Sequence, residues 1–138
     1  MDDVLLNKAG IIERCLRRIV EEYGGDPGRL ANLTHQDAII LNLERACQAA
    51  IDLAMHIVAR EHLGIPQSSA QAFDLLAGAQ KISPELAAKM RRMVGFRNVA
   101  VHQYQELKLD ILRQIVETGS QDLVEFCAAF SLRIAPYP

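Results

Sequence analysis

The stretch Thr34–Leu63, THQDAIILNLERACQAAIDLAMHIVAREHL, decides the fold. Its apolar residues recur at three and four: Ile40, Leu43, Cys47, Ala50, Ile51, Ala54, Ile57 and Val58 share one face of a helix. Thr34, with Asp37 three residues on, makes a capping-box-like start, and Gly64-Ile65-Pro66 stops the pattern. Ala46, Ala49, Ala50 and Ala54 permit close approach of a neighbouring helix.

The flanking segments follow the same period. Leu5, Ile12, Leu16, Ile19 and Tyr23 form a stripe that Gly24-Gly25 terminates, and Asp26-Pro27-Gly28 is turn chemistry. Ser68-Ser69 caps a short third helix through Phe73, Leu75 and Leu76. Ser83-Pro84-Glu85 supplies an N-cap, a proline at the first helical position and an acid at the dipole's positive end. The fourth helix runs from there towards His102. A fifth begins at Lys108-Leu109 and carries Ile111, Leu112, Ile115, Leu123, Phe126, Cys127 and Phe130 inward, with Gly119 expected to bend or break it. β-branched alternation is almost absent. These patterns predict an all-α bundle of about five helices, one domain over 1–138 with a tail at 134–138.

Composition removes several function classes. Half the 138 residues are apolar and 23% are charged, which predicts a packed core rather than disorder. A formal net charge of −2 argues against a protein that coats nucleic acid through bulk charge. The three cysteines are far apart with no CxxC pair, against a disulfide framework or cysteine-rich zinc site and in keeping with a reducing cytoplasm. Met1-Asp2-Asp3 lacks the positive charge of an export signal. Ala46–Ala59, the most apolar long run, is interrupted by Gln48, Asp52 and His56, and is too short and polar to span a bilayer.

Chemistry concentrates in Met93-Val94-Gly95-Phe96-Arg97-Asn98-Val99-Ala100-Val101-His102-Gln103-Tyr104. Arg97 is a permanent cation with a fork suited to phosphate, His102 can take and give a proton near neutrality, and Tyr104 offers a hydroxyl. Asn98 and His102 are four apart and share a helix face. Arg97 and His102 are five apart and diverge by roughly 140° around an ideal helix. They meet at one phosphate only where the helix ends near Val101, or where a second subunit brings its copy alongside. Between Glu85 and Glu106 there is no acidic residue, and Lys89, Arg91, Arg92 and Arg97 give residues 86–105 a charge of +4. Such a local field holds an anionic backbone even on an acidic protein.

Arg97-Asn98-x-x-x-His102-x-Tyr104 resembles the RxxxxHxY motif of HEPN-domain proteins, specifically the HepT-like toxins. The resemblance extends from the first helix to about Arg133 and takes in Ile39–Arg45, Leu63–Ser69 and the run from Arg97 to Leu112. It implies a dimeric, metal-independent ribonuclease without a cofactor, the toxin of a toxin–antitoxin pair. The implied partner is a small MNT-type nucleotidyltransferase that transfers AMP from ATP onto Tyr104. In such an enzyme His102 serves as acid or base on the RNA 2′-OH or leaving oxygen, and Arg97 stabilises the phosphorane-like transition state. Asn98 orients His102 or the substrate, and Lys89, Arg91 and Arg92 hold RNA. An AMP group on Tyr104 places a phosphodiester beside Arg97 and His102 and blocks the site.

Blander assignments stand beside these. Arg97 and His102 could be an arginine on helical carbonyls beside a hydrogen-bonded histidine, and Tyr104 a packed tyrosine with a wet hydroxyl. Asp52 and His56, at i and i+4, read as a helix hydrogen bond rather than half a metal site, since no HExxH accompanies them. His35 and His62 read as surface residues, Met90 and Met93 as packing, and Arg14, Arg17 and Arg18 as a solvated face. Gly24-Gly25 is not followed by GK[ST], so there is no phosphate loop. One alternative is a non-catalytic helical module that binds the nucleotidyltransferase and serves as its substrate; another is a helical nucleotide-binding protein, which predicts ATP binding by the isolated chain.

Overall fold

The computed structural model describes residues 2–102 and 107–134, the side chain of His102 excepted. α1, Asp3–Tyr23, starts at Asp2, whose carboxylate accepts the Val4 N–H at 2.9 Å. It stops at Gly24, where φ is +58° and an added Cβ would stand 2.8 Å from the Arg29 guanidinium. Glycine therefore serves both the left-handed turn and the close approach. Arg29 sits there because it donates to the Glu21 and Glu22 carbonyls, each at 3.3 Å. A 3₁₀ turn over Pro27–Ala31 leads into α2, Leu33–Arg60.

The start of α2 differs from expectation. Asn32, not Thr34, is the cap: its side-chain oxygen accepts the Thr34 and His35 N–H groups at 3.0 and 3.2 Å. Two short polar side chains compete for the same orphan donors, and the one just outside the helix reaches both. At the far end the backbone turns left-handed at His62, and the Leu63 N–H closes on the Val58 carbonyl at 3.0 Å. The helix therefore ends three residues before Leu63.

α3, Ser69–Gly78, is capped by Ser68, and α4, Pro84–His102, by Ser83, whose hydroxyl accepts the Leu86 N–H at 3.1 Å. The last rod is Leu109–Gln114 (α5), a π-helical turn Ile115–Gly119, and Ser120–Ala129 (α6). Gly119 does not break it. Its φ of −64° and ψ of −30° are helical, and the extra residue is absorbed by widening one turn. The missing Cβ has a packing reason, since one there would lie 3.2 Å from the Met93 sulfur of α4.

α2 is the central rod, packed on α1, α3, α4 and α6. Ala46, Ala49, Ala50 and Ala54 are all buried on it, as close packing requires. Phe73, Phe126, Ile12, Ile39, Leu43, Leu53 and Met90 fill the core, and Phe126 meets Phe73 and Phe130 edge-on with centroids 5.3 Å apart in each pair. Met93 also packs inward. No helix among the described residues is long and apolar enough to cross a membrane.

Candidate functional site

α4 presents the motif. Its early turns bury Leu86, Met90, Met93 and Val94 against the bundle, and its later turns bury Phe96 and Ala100 while leaving Asn98 and Val101 exposed. Arg97 lies between these faces, half-buried. Its Nη1 donates to Asn98 Oδ1 at 3.2 Å, while its Nε is buried with no hydrogen-bond partner. The guanidinium is thus tied to Asn98 at one terminal nitrogen, while its root nitrogen is buried and unpaired.

Cys47 of α2 lies near enough to Arg97 to feel its charge. Burial pushes that thiol up to about 12, against the opposing pull of the Arg97 charge. Burial also raises Cys127 to about 12 and raises Cys15. All three cysteines are unpaired, buried and protonated at neutral pH, and none is a nucleophile. Sequence reasoning treated them only as a redox clue; the effect of the Arg97 charge on Cys47 is a tertiary fact with no local signal.

α4 remains helical through His102. Arg97 and His102 are therefore separated on one straight rod by about 7.5 Å of rise and roughly 140° of rotation. The chain does not turn between them to bring both onto one phosphate. The His102 side chain and Tyr104 lie outside the described residues.

The cationic stripe is less uniform in space than in sequence. Lys89 pairs with Glu125 at 3.4 Å and Asp122 at 3.9 Å on α6, and Arg91 pairs with Asp74 on α3. These pairs are partly exposed, so they exchange readily for a polyanion. Arg92 is exposed and forms no ion pair among the described residues.

Other polar residues resolve differently from the local expectation. Asp52 does not bond His56; it receives Lys8 at 3.1 Å and Gln48 at 2.9 Å. His56 instead reaches Asp2 at 2.5 Å, which Arg60 also approaches at 3.4 Å. His35 is half-buried rather than freely exposed, and its Nδ1 lies 2.8 Å from Glu22. Lys8, Asp2 and Glu22 come from α1 or its cap, which i, i+4 spacing cannot reveal, whereas Gln48 meets Asp52 at that spacing on α2 itself. Arg17 and Arg18 pair with Glu13, Glu21 and Glu22 along their own helix, as a solvated face does. No group of three or more His, Cys, Asp or Glu that could hold a metal occurs among the described residues.

The described residues thus form an all-α bundle whose fourth helix carries Arg97, Asn98 and His102. The chain matches the family described as "Ribonuclease HepT-like" over residues 11–130, and it belongs to that family. It is 45% identical over 126 residues to the mRNA nuclease HepT of Shewanella oneidensis, covering 91% of this chain and 95% of that protein. A solved structure of a tri-AMPylated Shewanella oneidensis HEPN toxin in complex with MNT antitoxin superposes with a TM-score of 0.90 at 44% identity, over 95% of this chain and 98% of that one. A toxin–antitoxin complex with AMP-PNP superposes with a TM-score of 0.89 at 43% identity, over 94% of this chain and 98% of that one. The expected all-helical HEPN fold and the HepT-like resemblance are borne out.

Proposed function

We propose that this chain is the RNA-cleaving toxin of a toxin–antitoxin pair whose partner is an MNT-type nucleotidyltransferase. The observation that carries this is the half-buried Arg97, its Nε buried and unpaired and its Nη1 donating to Asn98, on the same helix that carries His102. Membership of a ribonuclease family over residues 11–130 and 45% identity to an mRNA nuclease support it. His102 removes the proton from the RNA 2′-OH or returns one to the leaving 5′ oxygen. Arg97 stabilises the charge that builds on phosphorus, and Asn98 helps to orient the pair. Attack by the 2′-OH breaks the P–O5′ bond and leaves a 2′,3′-cyclic phosphate and a free 5′-OH, so DNA is not a substrate.

With Arg97 and His102 on different sides of α4, the complete site is assembled from two copies across a dimer seam. Lys89, Arg91 and Arg92 hold the RNA backbone leading to that seam. The antitoxin silences the toxin by transferring AMP to Tyr104, as the tri-AMPylated neighbour supports. Unpaired thiols are in keeping with a reducing cytoplasm, the location proposed for this chain, read as one domain over 1–138.

Cleavage of single-stranded RNA by the wild type, with cyclic-phosphate ends identified by mass spectrometry, tests this directly. His102→Ala and Arg97→Ala are expected to lower the rate by at least a hundredfold. Undiminished cleavage by His102→Ala refutes the assignment and favours a non-catalytic module.

A further inference from the structure

A groove of about 550 Å³ runs along the side of α4, between that helix and the α5–π segment. Its floor is apolar, formed by Met93, Phe96 and Val99 on one wall and Ile111 and Ile115 on the other. Arg92 and Lys108 stand on opposite walls, both exposed, and neither forms an ion pair with a carboxylate among the described residues. Lys89 and Asp122 line the same groove but neutralise one another in a mixed cluster. A larger depression of about 860 Å³ beside the α3–α4 turn contains none of the motif residues.

Three features identify what this groove takes. Ile111 keeps 45% of its surface exposed although it is a large aliphatic side chain, so the floor is wet and uncovered in the single chain. Cations on both rims of an apolar slot complement a ligand that is flat and apolar in the middle and anionic at its ends. A nucleotide within a strand has that form, with its base between two phosphates. Position completes the match: Val99 lies three residues before His102, about 4.5 Å along the helix axis. A strand cut at His102 therefore continues into the groove.

We propose that the groove between α4 and the α5–π segment is a subsite for an unpaired RNA nucleotide flanking the scissile phosphate, its base on Val99 and Ile111 and its phosphates between Arg92 and Lys108. The subsite rests on the ribonuclease assignment and extends it: the substrate class is single-stranded RNA, because a paired base cannot enter the slot. Its residues bind and orient the strand and take no part in the chemistry.

The test uses full-length protein in a His102→Ala background, titrated with a short fluorescein-labelled single-stranded oligoribonucleotide. Ile111→Glu and Lys108→Ala, both at exposed positions, are each expected to weaken binding on the order of tenfold. In otherwise wild-type protein the same substitutions are expected to raise KM for that RNA and leave kcat unchanged. They should also leave cleavage of a dinucleotide, too short to reach the groove, as it was. Wild-type binding by both variants, with wild-type protein cleaving RNA, overturns the subsite alone. Failure of the wild type to cleave any RNA overturns the ribonuclease assignment instead. A change of mass in sedimentation equilibrium on Ile111→Glu assigns the groove to a second copy of the chain and overturns the nucleotide.

Discussion

Replacing Tyr23 by Phe removes one oxygen from the junction between the end of α1 and the π turn. The Tyr23 hydroxyl donates to Glu117, which Arg113 also holds through Nε at 3.2 and 3.3 Å. A hydrogen bond to a charged acceptor contributes about 1.5–3 kcal/mol. Glu117 keeps 38% of its side-chain surface exposed, so water recovers part of the loss and about 1–2 kcal/mol remains. For a chain of 138 residues that lowers Tm by about 4–8 °C. The pH dependence follows from two shifts. The Tyr23 hydroxyl, foremost, holds the Glu117 carboxyl below its ordinary value, with burial opposing and Arg113 assisting. Its contribution is therefore present above the unfolded carboxylate value of about 4.3 and disappears as pH falls through the lower folded value. Burial, then Glu117, pushes Tyr23 up to about 12, so its contribution is complete below about 10 and is lost only as pH rises through about 12. Thermal melts of wild type, Tyr23→Phe, Glu117→Gln and the double variant between pH 3 and pH 9 are the assay. The wild type–Tyr23→Phe gap should be constant from neutral to pH 9 and close in acid. Equal melting temperatures at pH 7, or a gap that widens as pH falls, refute the reasoning.

Two further outcomes probe the packing on either side of that junction. Phe126→Ala empties a fully buried site that two other rings face edge-on, and should cost about 3–5 kcal/mol in urea unfolding. Ser120→Ala should raise stability by about 1 kcal/mol, because the Ser120 hydroxyl is wholly buried directly after the π turn with no hydrogen-bond partner. A destabilised Ser120→Ala would mean that the hydroxyl is satisfied in solution.

Where the chain's own local chemistry decides the outcome, the sequence was enough. Gly24, Ser68 and Ser83-Pro84-Glu85 mark helix ends because the capping groups and the orphan backbone groups are neighbours in sequence. The inward stripe of α2 was legible for the same reason, since periodicity is a local property. What was not legible depends on partners far along the chain. Lys89 and Arg91 read as a free cationic run, but acids on α6 and α3 come to meet them. His56 seemed destined for Asp52 at helical spacing and found Asp2 instead. The π turn had only Gly119 to announce it, and a lone glycine signals a weak point without saying how the helix resolves it. The motif was recognisable from Arg97, Asn98 and His102 as a string; the burial of the Arg97 Nε was not.

The unbroken run of α4 through His102 has a quantitative consequence for dosage. A catalytic unit that needs two copies forms in proportion to the square of the monomer concentration when protein is scarce. Halving the supply of free chain then cuts the active species about fourfold by mass action. A few stray molecules, made when the partner is briefly absent, are nearly silent, whereas sustained excess turns on steeply. A site assembled from two copies, as proposed, gives the chain a threshold by mass action alone.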